Sequence, residues 1–192
     1  MTNVKSTNVL ASFLQGRVSV MVGDITAQET DAIVNAANSS LMGGGGVDGA
    51  IHRAGGRQVL EECRRLRRRL YPAGLPTGEA VMTTGGSLKA RFVIHTVGPV
   101  RGECDGRDGE LLAACYRNSL ALAARHSLKT VAFPSISTGA YRYPREEAAE
   151  VSSAAVADFL LRDDTLAEVR LVFFSDDDAR VFLENQRFES GA

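Results

Sequence analysis

The chain has 192 residues, 44% hydrophobic and 23% charged, with a formal net charge of −1. This is the profile of one globular domain with a sizeable core, and a near-neutral chain offers no global field to nucleic acid or membranes, so any anion site must be built locally. No apolar run approaches the ~20 residues of a membrane-spanning helix, Met1–Ser12 lacks the cationic and apolar stretches of a leader, and Cys63, Cys104 and Cys115 show no CxxC spacing, which argues against a disulfide framework or zinc site and favours a reduced, cytoplasmic setting.

The first expected strand is 17–22. Asp24 follows it at the carboxyl end, where a carboxylate can accept from an exocyclic amine such as that of adenine. "TAQE", 26–29, is also a capping box, which leaves Asp24 open to being a turn residue. A second strand, 32–35, runs into "NAAN". Asparagine is disfavoured in strands, so the amides of Asn35 and Asn38 are expected to bond a ligand or nearby backbone.

Next comes "NSSLMGGGGVDGAIHRAGG", 38–56. Each glycine inside a helix or strand costs about 0.5–1 kcal/mol relative to alanine, so four in a row indicate bare amides kept free for a purpose. With a helix start at Asp48–Ile51, they form a nest suited to an anion; the alternative is a flexible loop capped by Asp48. His52, four residues on, can pair with Asp48 on one helix face. Residues 44–49 match GxGxxG, but no strand leads directly into them and an arginine-rich helix occupies the place of the required acidic residue. No Gly-Lys pair exists for a P-loop.

The segment 57–70 is helical by its apolar spacing, Val59, Cys63, Leu66 and Leu70, with Arg64–Arg69 as a solvated face or a polymer contact. A loop at 71–78 precedes strands at 80–83 and 92–97, the latter enclosing His95 as a core histidine. After a loop at 101–109 and a helix at 110–126 comes the strand 130–134, then "PSISTGAYRYP", 134–144. Its small hydroxyls (Ser135, Ser137, Thr138) and Gly139 stand at a strand's carboxyl end, where ligands of open α/β sheets collect, and Tyr141 offers a flat surface. A glycine-containing turn is the plainer reading. Together with the glycine run, it favours a diphosphate held between two loops. A helix at 145–162 (face Val151, Ala155, Phe159), a strand at 169–174 and a helix at 177–188 complete the chain. "FVIHTV", "TVAFP" and "VRLVFF" are near-continuous apolar runs, as in strands covered on both faces. Strands alternating with helices imply a three-layer α/β domain with a largely parallel sheet.

"GDIT…DAIVNAANSSLMGGGGVDGAIHRAGG", "LPTGEAVMTTGG…FVIHTVGP" and "ISTGAYRYP", in that order over residues 17–185, resemble the macrodomain family and its MacroD-type branch. The resemblance implies a single α/β/α domain over 1–192 with a mixed, largely parallel central sheet flanked by helices. It implies binding of ADP-ribose, hydrolysis of the ester joining it to glutamate or aspartate on mono-ADP-ribosylated proteins, and deacetylation of O-acetyl-ADP-ribose. Carried onto this chain, Asp24 and the Ile25 backbone would read adenine. Gly44, Gly45, Gly46 and Val47 would wrap the diphosphate and distal ribose, with Ser137, Thr138, Gly139, Ala140 and Tyr141 closing the other side. Asn38 and Asp48 would contact the distal ribose, Asp48 positioning the attacking water, and Phe174 would pack on the adenine ring. No cofactor or metal is implied, and no GxSxG elbow is present.

Two departures stand out: Arg142 where the family usually has glycine, and Leu75 where a cysteine is common. A non-catalytic ADP-ribose reader is the rival reading. An RNA-associated regulator using Arg64–Arg69 is a third.

Overall fold

The computed structural model describes residues 8–188. Seven strands, β1 (Asn8–Phe13), β2 (Val18–Val22), β3 (Ala32–Ala37), β4 (Ala80–Thr84), β5 (Phe92–Val97), β6 (Thr130–Phe133) and β7 (Glu168–Phe173), form one sheet. Their spatial order is β1-β2-β7-β6-β3-β5-β4. The inner strands β2, β7, β6, β3 and β5 run parallel, while β1 and β4 pair antiparallel at the two edges. Five helices, α1 (Gly46–Gly55), α2 (Arg57–Arg69), α3 (Asp108–Arg125), α4 (Arg145–Leu160) and α5 (Asp176–Asn185), complete the mixed α/β/α arrangement.

The inner strands are largely apolar because helices cover both sheet faces: all five residues of β2 are buried, as are Val93–Val97 of β5. β6 stops at Phe133, one residue short of the expectation, since Pro134 has no N–H to give the ladder. β7 ends at Phe173, so Phe174 stands just past the strand. β1 carried no sequence signal beyond polarity. It is an edge strand with Val9 and Leu10 exposed and a register shift between Val9 and Ala11, so neither clean alternation nor a continuous apolar run marks it.

α2 buries Val59 and Cys63, but Leu70 lies past its end and is exposed. On α4 the buried face runs through Ala148, Ser152, Ala155 and Val156, with Val151 and Phe159 at its margins. Ser152 and Ser153 fit there because each hydroxyl donates to a carbonyl one turn back. Cys63 and Cys115 are small core residues, as expected. Leu75 is buried in the same cluster as Cys63.

β3 pairs with β6 through Ala32–Val131 and Ile33–Ala132. Beyond those pairs Ala36 and Ala37 on one strand, and Pro134 and Ser135 after the other, become the two walls of a cleft. The opening therefore sits at the carboxyl ends of parallel strands, where diverging connections leave a crevice.

Candidate functional site

The cleft encloses about 750 Å³ between the glycine loop 43–47, the loop 134–141 and the ends of β2 and β7. Gly45 caps α1, whose first turn carries Asp48, so the helix begins two residues earlier than the sequence suggested. Glycine is required where the loop folds back on this turn. A Cβ on Gly44 would come within 3.2 Å of both Asn38 Nδ2 and Asp48 Oδ2, and one on Gly49 would lie 2.4 Å from the Gly44 carbonyl oxygen. A Cβ on Gly45 would meet nothing within 4 Å, so its backbone faces open cleft.

Asp48 is 4% exposed. Its Oδ1 accepts from Asn35 Nδ2 at 2.7 Å and its Oδ2 from Asn38 Nδ2 at 3.3 Å. Asn38 is itself fixed: Nδ2 also donates to the Gly43 carbonyl at 3.0 Å, and Oδ1 accepts from the Ser40 backbone and hydroxyl. His52 Nε2 approaches Asp48 Oδ1 to 3.4 Å, yet neither ring nitrogen of His52 makes an aligned hydrogen bond, so this contact is electrostatic only. Burial raises the Asp48 pKa above the ordinary 3.8, opposed by the Asn35 hydrogen bond and by His52.

Across the cleft, the second loop is a pinned turn. Tyr143 N–H donates to the Ser137 carbonyl at 3.0 Å, Arg142 N–H to Gly139 at 2.9 Å, and Arg101 N–H to Tyr141 at 3.0 Å. Ser137 takes a φ of +67° and is buried, its hydroxyl without a partner. Gly139 and Ala140 stay exposed at the rim. Burial and the Asp48 charge both raise the Tyr141 pKa, and both residues line the cleft. At the far end, Asp24 Oδ1 accepts from Thr26 N–H at 2.8 Å and Thr26 Oγ1 at 2.7 Å. Asp24 is thus a capping residue whose carboxylate also lines the cleft.

Residues 34–152 match the family model described as Macro domain. The chain belongs to the macrodomain family. A macro domain-containing protein of Cupriavidus necator is 54% identical over 87% of this chain and 95% of that protein. A relative from Escherichia fergusonii, named O-acetyl-ADP-ribose deacetylase, is 48% identical over 88% of this chain and 94% of its own length. Among solved structures, the Oceanobacillus iheyensis macrodomain with ADP is 44% identical, with a TM-score of 0.85, covering 94% of this chain and 93% of that one. The Trypanosoma brucei macrodomain in complex with ADP-ribose is 37% identical, with a TM-score of 0.80, covering 88% and 68%.

In this macrodomain Asp24, Ile25, Asn38, Gly44, Gly45, Gly46, Val47, Asp48, Ser137, Thr138, Gly139, Ala140, Tyr141 and Phe174 all line the one cleft. Asn35 does not. It is fully buried behind Asp48, because its register opposite His95 turns its side chain into the core rather than towards a ligand. Two charged cleft residues had escaped sequence reasoning. Arg53, exposed on α1, lines the wall; its spacing of four from Gly49 was the available signal. Asp178, read simply as the start of α5, also reaches the cleft while pairing with Arg145 at 2.8 Å.

Arg142 adopts a φ of +56°, the left-handed region in which glycine is unstrained. Its neighbour Tyr143 is buried beneath the loop, with the Arg101 guanidinium 5.2 Å from its ring centre. The macrodomain also gathers His52, Cys63 and His95, whose donor atoms lie within 4.8 Å of one another, although nothing in their sequence spacing suggested a cluster. Burial pushes the Cys63 thiol up to about 12, so it stays protonated at neutral pH. His95 Nε2 is 3.0 Å from Thr83 Oγ1.

Proposed function

We propose that this macrodomain binds ADP-ribose and hydrolyses esters at its distal ribose, taking mono-ADP-ribosylated acidic side chains and O-acetyl-ADP-ribose as substrates. One observation carries the reading: a carboxylate, buried to 4% and with a raised pKa, opens between two loops that present main-chain amides to a single cleft. The related macrodomains solved with ADP and with ADP-ribose, and the relative named O-acetyl-ADP-ribose deacetylase, support the same ligand class.

The amides of Gly44–Val47 and Ser137–Ala140 would hold the diphosphate from both sides, as glycine nests and helix N-termini hold anions. The distal ribose then lies against Asn38 and Asp48, with adenine between Asp24, the Ile25 backbone and Phe174. A water placed between Asp48 Oδ2 and a substrate phosphate oxygen attacks the acyl carbon. Asp48 takes a proton from that water and passes it to the departing sugar oxygen as the acyl carbon–oxygen bond to the ribose breaks, and the acid, losing its remaining proton to solvent, leaves as carboxylate. A raised pKa makes the ionised carboxylate a stronger base, and positioned base catalysis contributes about 10²–10⁴-fold. That suffices for an activated ester and is modest for the arginine linkage, which this site is expected to leave intact.

The experiment is release of ADP-ribose from an auto-modified acceptor, comparing wild type with Asp48→Ala, alongside calorimetric titration with ADP-ribose. Turnover in wild type alone, with binding in both, supports the hydrolase. Binding without turnover in wild type leaves only a reader module.

A further inference from the structure

Behind Asp48 a string of polar groups runs through an otherwise largely apolar core. Asn35 and His95 are fully buried and Thr83 nearly so, on the adjacent strands β3, β5 and β4. Asn35 and His95 stand opposite each other in register. Buried polar groups are costly unless every donor finds an acceptor, and here the pairing runs in one direction.

Asn35 Nδ2 lies 2.7 Å from Asp48 Oδ1 and 3.1 Å from His95 Nδ1. An amide nitrogen only donates. His95 Nδ1 must therefore accept, which assigns the imidazole proton to Nε2. That N–H faces Thr83 Oγ1 at 3.0 Å, and the Thr83 hydroxyl donates to the Thr84 carbonyl at 3.0 Å. Turning the Asn35 amide over would set its oxygen 2.7 Å from a carboxylate oxygen and give up the donation to Asp48, whichever ring nitrogen of His95 held the proton.

We propose that His95 is a positioning residue: its Nε2-protonated ring locks the Asn35 amide in the orientation that donates to Asp48, and so keeps Asp48 ionised and aimed at the cleft. The inference deepens the hydrolase reading of Asp48, but its first test needs no turnover. Other groups face the carboxylate: His52 from α1, Cys63 from α2 and Tyr141 from the loop after β6. His95 itself faces His52, with ring centres 6.0 Å apart, and Cys63 Sγ at 3.7 Å. Burial, with His52 nearby, pushes the His95 pKa down to about 3, and burial pushes Cys63 up to about 12. Neither changes charge at neutral or mildly acidic pH, and His52 is common to all the proteins compared below.

The test sets wild type beside His95→Leu and His95→Asn, the latter supplying a carbonyl oxygen in place of the Nδ1 acceptor. In ligand-free protein, the Asp48 carboxyl midpoint followed by carbon NMR is expected to rise by about one pH unit in His95→Leu, because a hydrogen bond to the ionised form is lost. In His95→Asn it returns towards wild type. With the ester substrate, kcat at neutral pH falls by about tenfold or more in His95→Leu, the scale of a misplaced catalytic group, while ADP-ribose affinity holds. Equal Asp48 midpoints in all three proteins overturn the proposal. So does nitrogen NMR of wild type showing the His95 proton on Nδ1, a measurement that needs no variant to fold. A wild type whose Asp48 and His95 behave as described but which shows no turnover would refute the hydrolase reading and leave the positioning role standing.

Discussion

Gly49→Ala separates the stability of this macrodomain from the geometry of its cleft. The added Cβ would sit 2.4 Å from the Gly44 carbonyl oxygen and 3.0 Å from Arg53 Nη1, against an ordinary contact of 3.4 Å or more. The arginine tip can swing away. The backbone oxygen cannot, so the loop must retreat by roughly 1 Å, the difference between 3.4 and 2.4 Å. Overpacking of this kind costs about 1–3 kcal/mol, while alanine gains about 1 kcal/mol over glycine inside a helix. The net loss is about 0–2 kcal/mol, and at 2–4 °C per kcal/mol for a domain of this size the melting temperature drops by no more than about 8 °C. Function responds differently. A displacement of about 1 Å in a positioning loop can cost about 10²-fold in rate, and the moved segment carries the amides assigned to the diphosphate. The assay pairs thermal melts with ADP-ribose calorimetry and ester hydrolysis. A folded Gly49→Ala protein with wild-type affinity and turnover would refute the argument that these amides are held in place by the Gly44–Gly49 contact.

Four further outcomes are expected. In the proposed mechanism hydrolysis needs ionised Asp48, whose pKa burial raises above 3.8, so the acid limb of the rate profile should lie above that value; a limb at or below it would contradict the burial argument. His95 has a folded pKa near 3 against an ordinary 6.5, so below 6.5 the unfolded chain gains a proton that the native state refuses, and stability falls as the pH drops. The loss is about 2 kcal/mol between about pH 7 and pH 5, lessened by Asp48, whose shift has the opposite sign; urea unfolding should show this slope and its disappearance in His95→Asn. Asp24→Asn keeps the cap on Thr26 and should weaken ADP-ribose more than ribose 5-phosphate, and equal losses in calorimetry would remove Asp24 from the adenine end. Arg142→Gly relieves a φ of +56° and should raise stability by about 1 kcal/mol or less, so a lowered melting temperature would show that the arginine side chain contributes more than its backbone strain costs.

Much of the fold was legible because its signals are local. The apolar runs that became β5, β6 and β7 state that both faces are covered, and the glycine run marks the loop that folds closely onto the start of α1 at Gly44 and Gly49. β1 was not legible, since an exposed edge strand needs neither a continuous nor an alternating apolar pattern. Within the site, Asn38 and Asp48 could be placed from their motif. Asn35 and Arg53 could not, because what each side chain faces depends on which distant strand or loop stands opposite it.

The amino-acid sequence alone determined the alternation of strands and helices, the two glycine-containing loops, and the acidic residue that follows the first of them. These follow from backbone sterics and hydrophobic periodicity over a few neighbours, and they need no knowledge of the rest of the chain. Only the tertiary structure decided that β3 and β6 part after two pairs to open the cleft, and that Asn35 looks inward at His95. Both depend on register between segments about 60 to 100 residues apart. A shift of one residue in that register would turn every side chain to the other face.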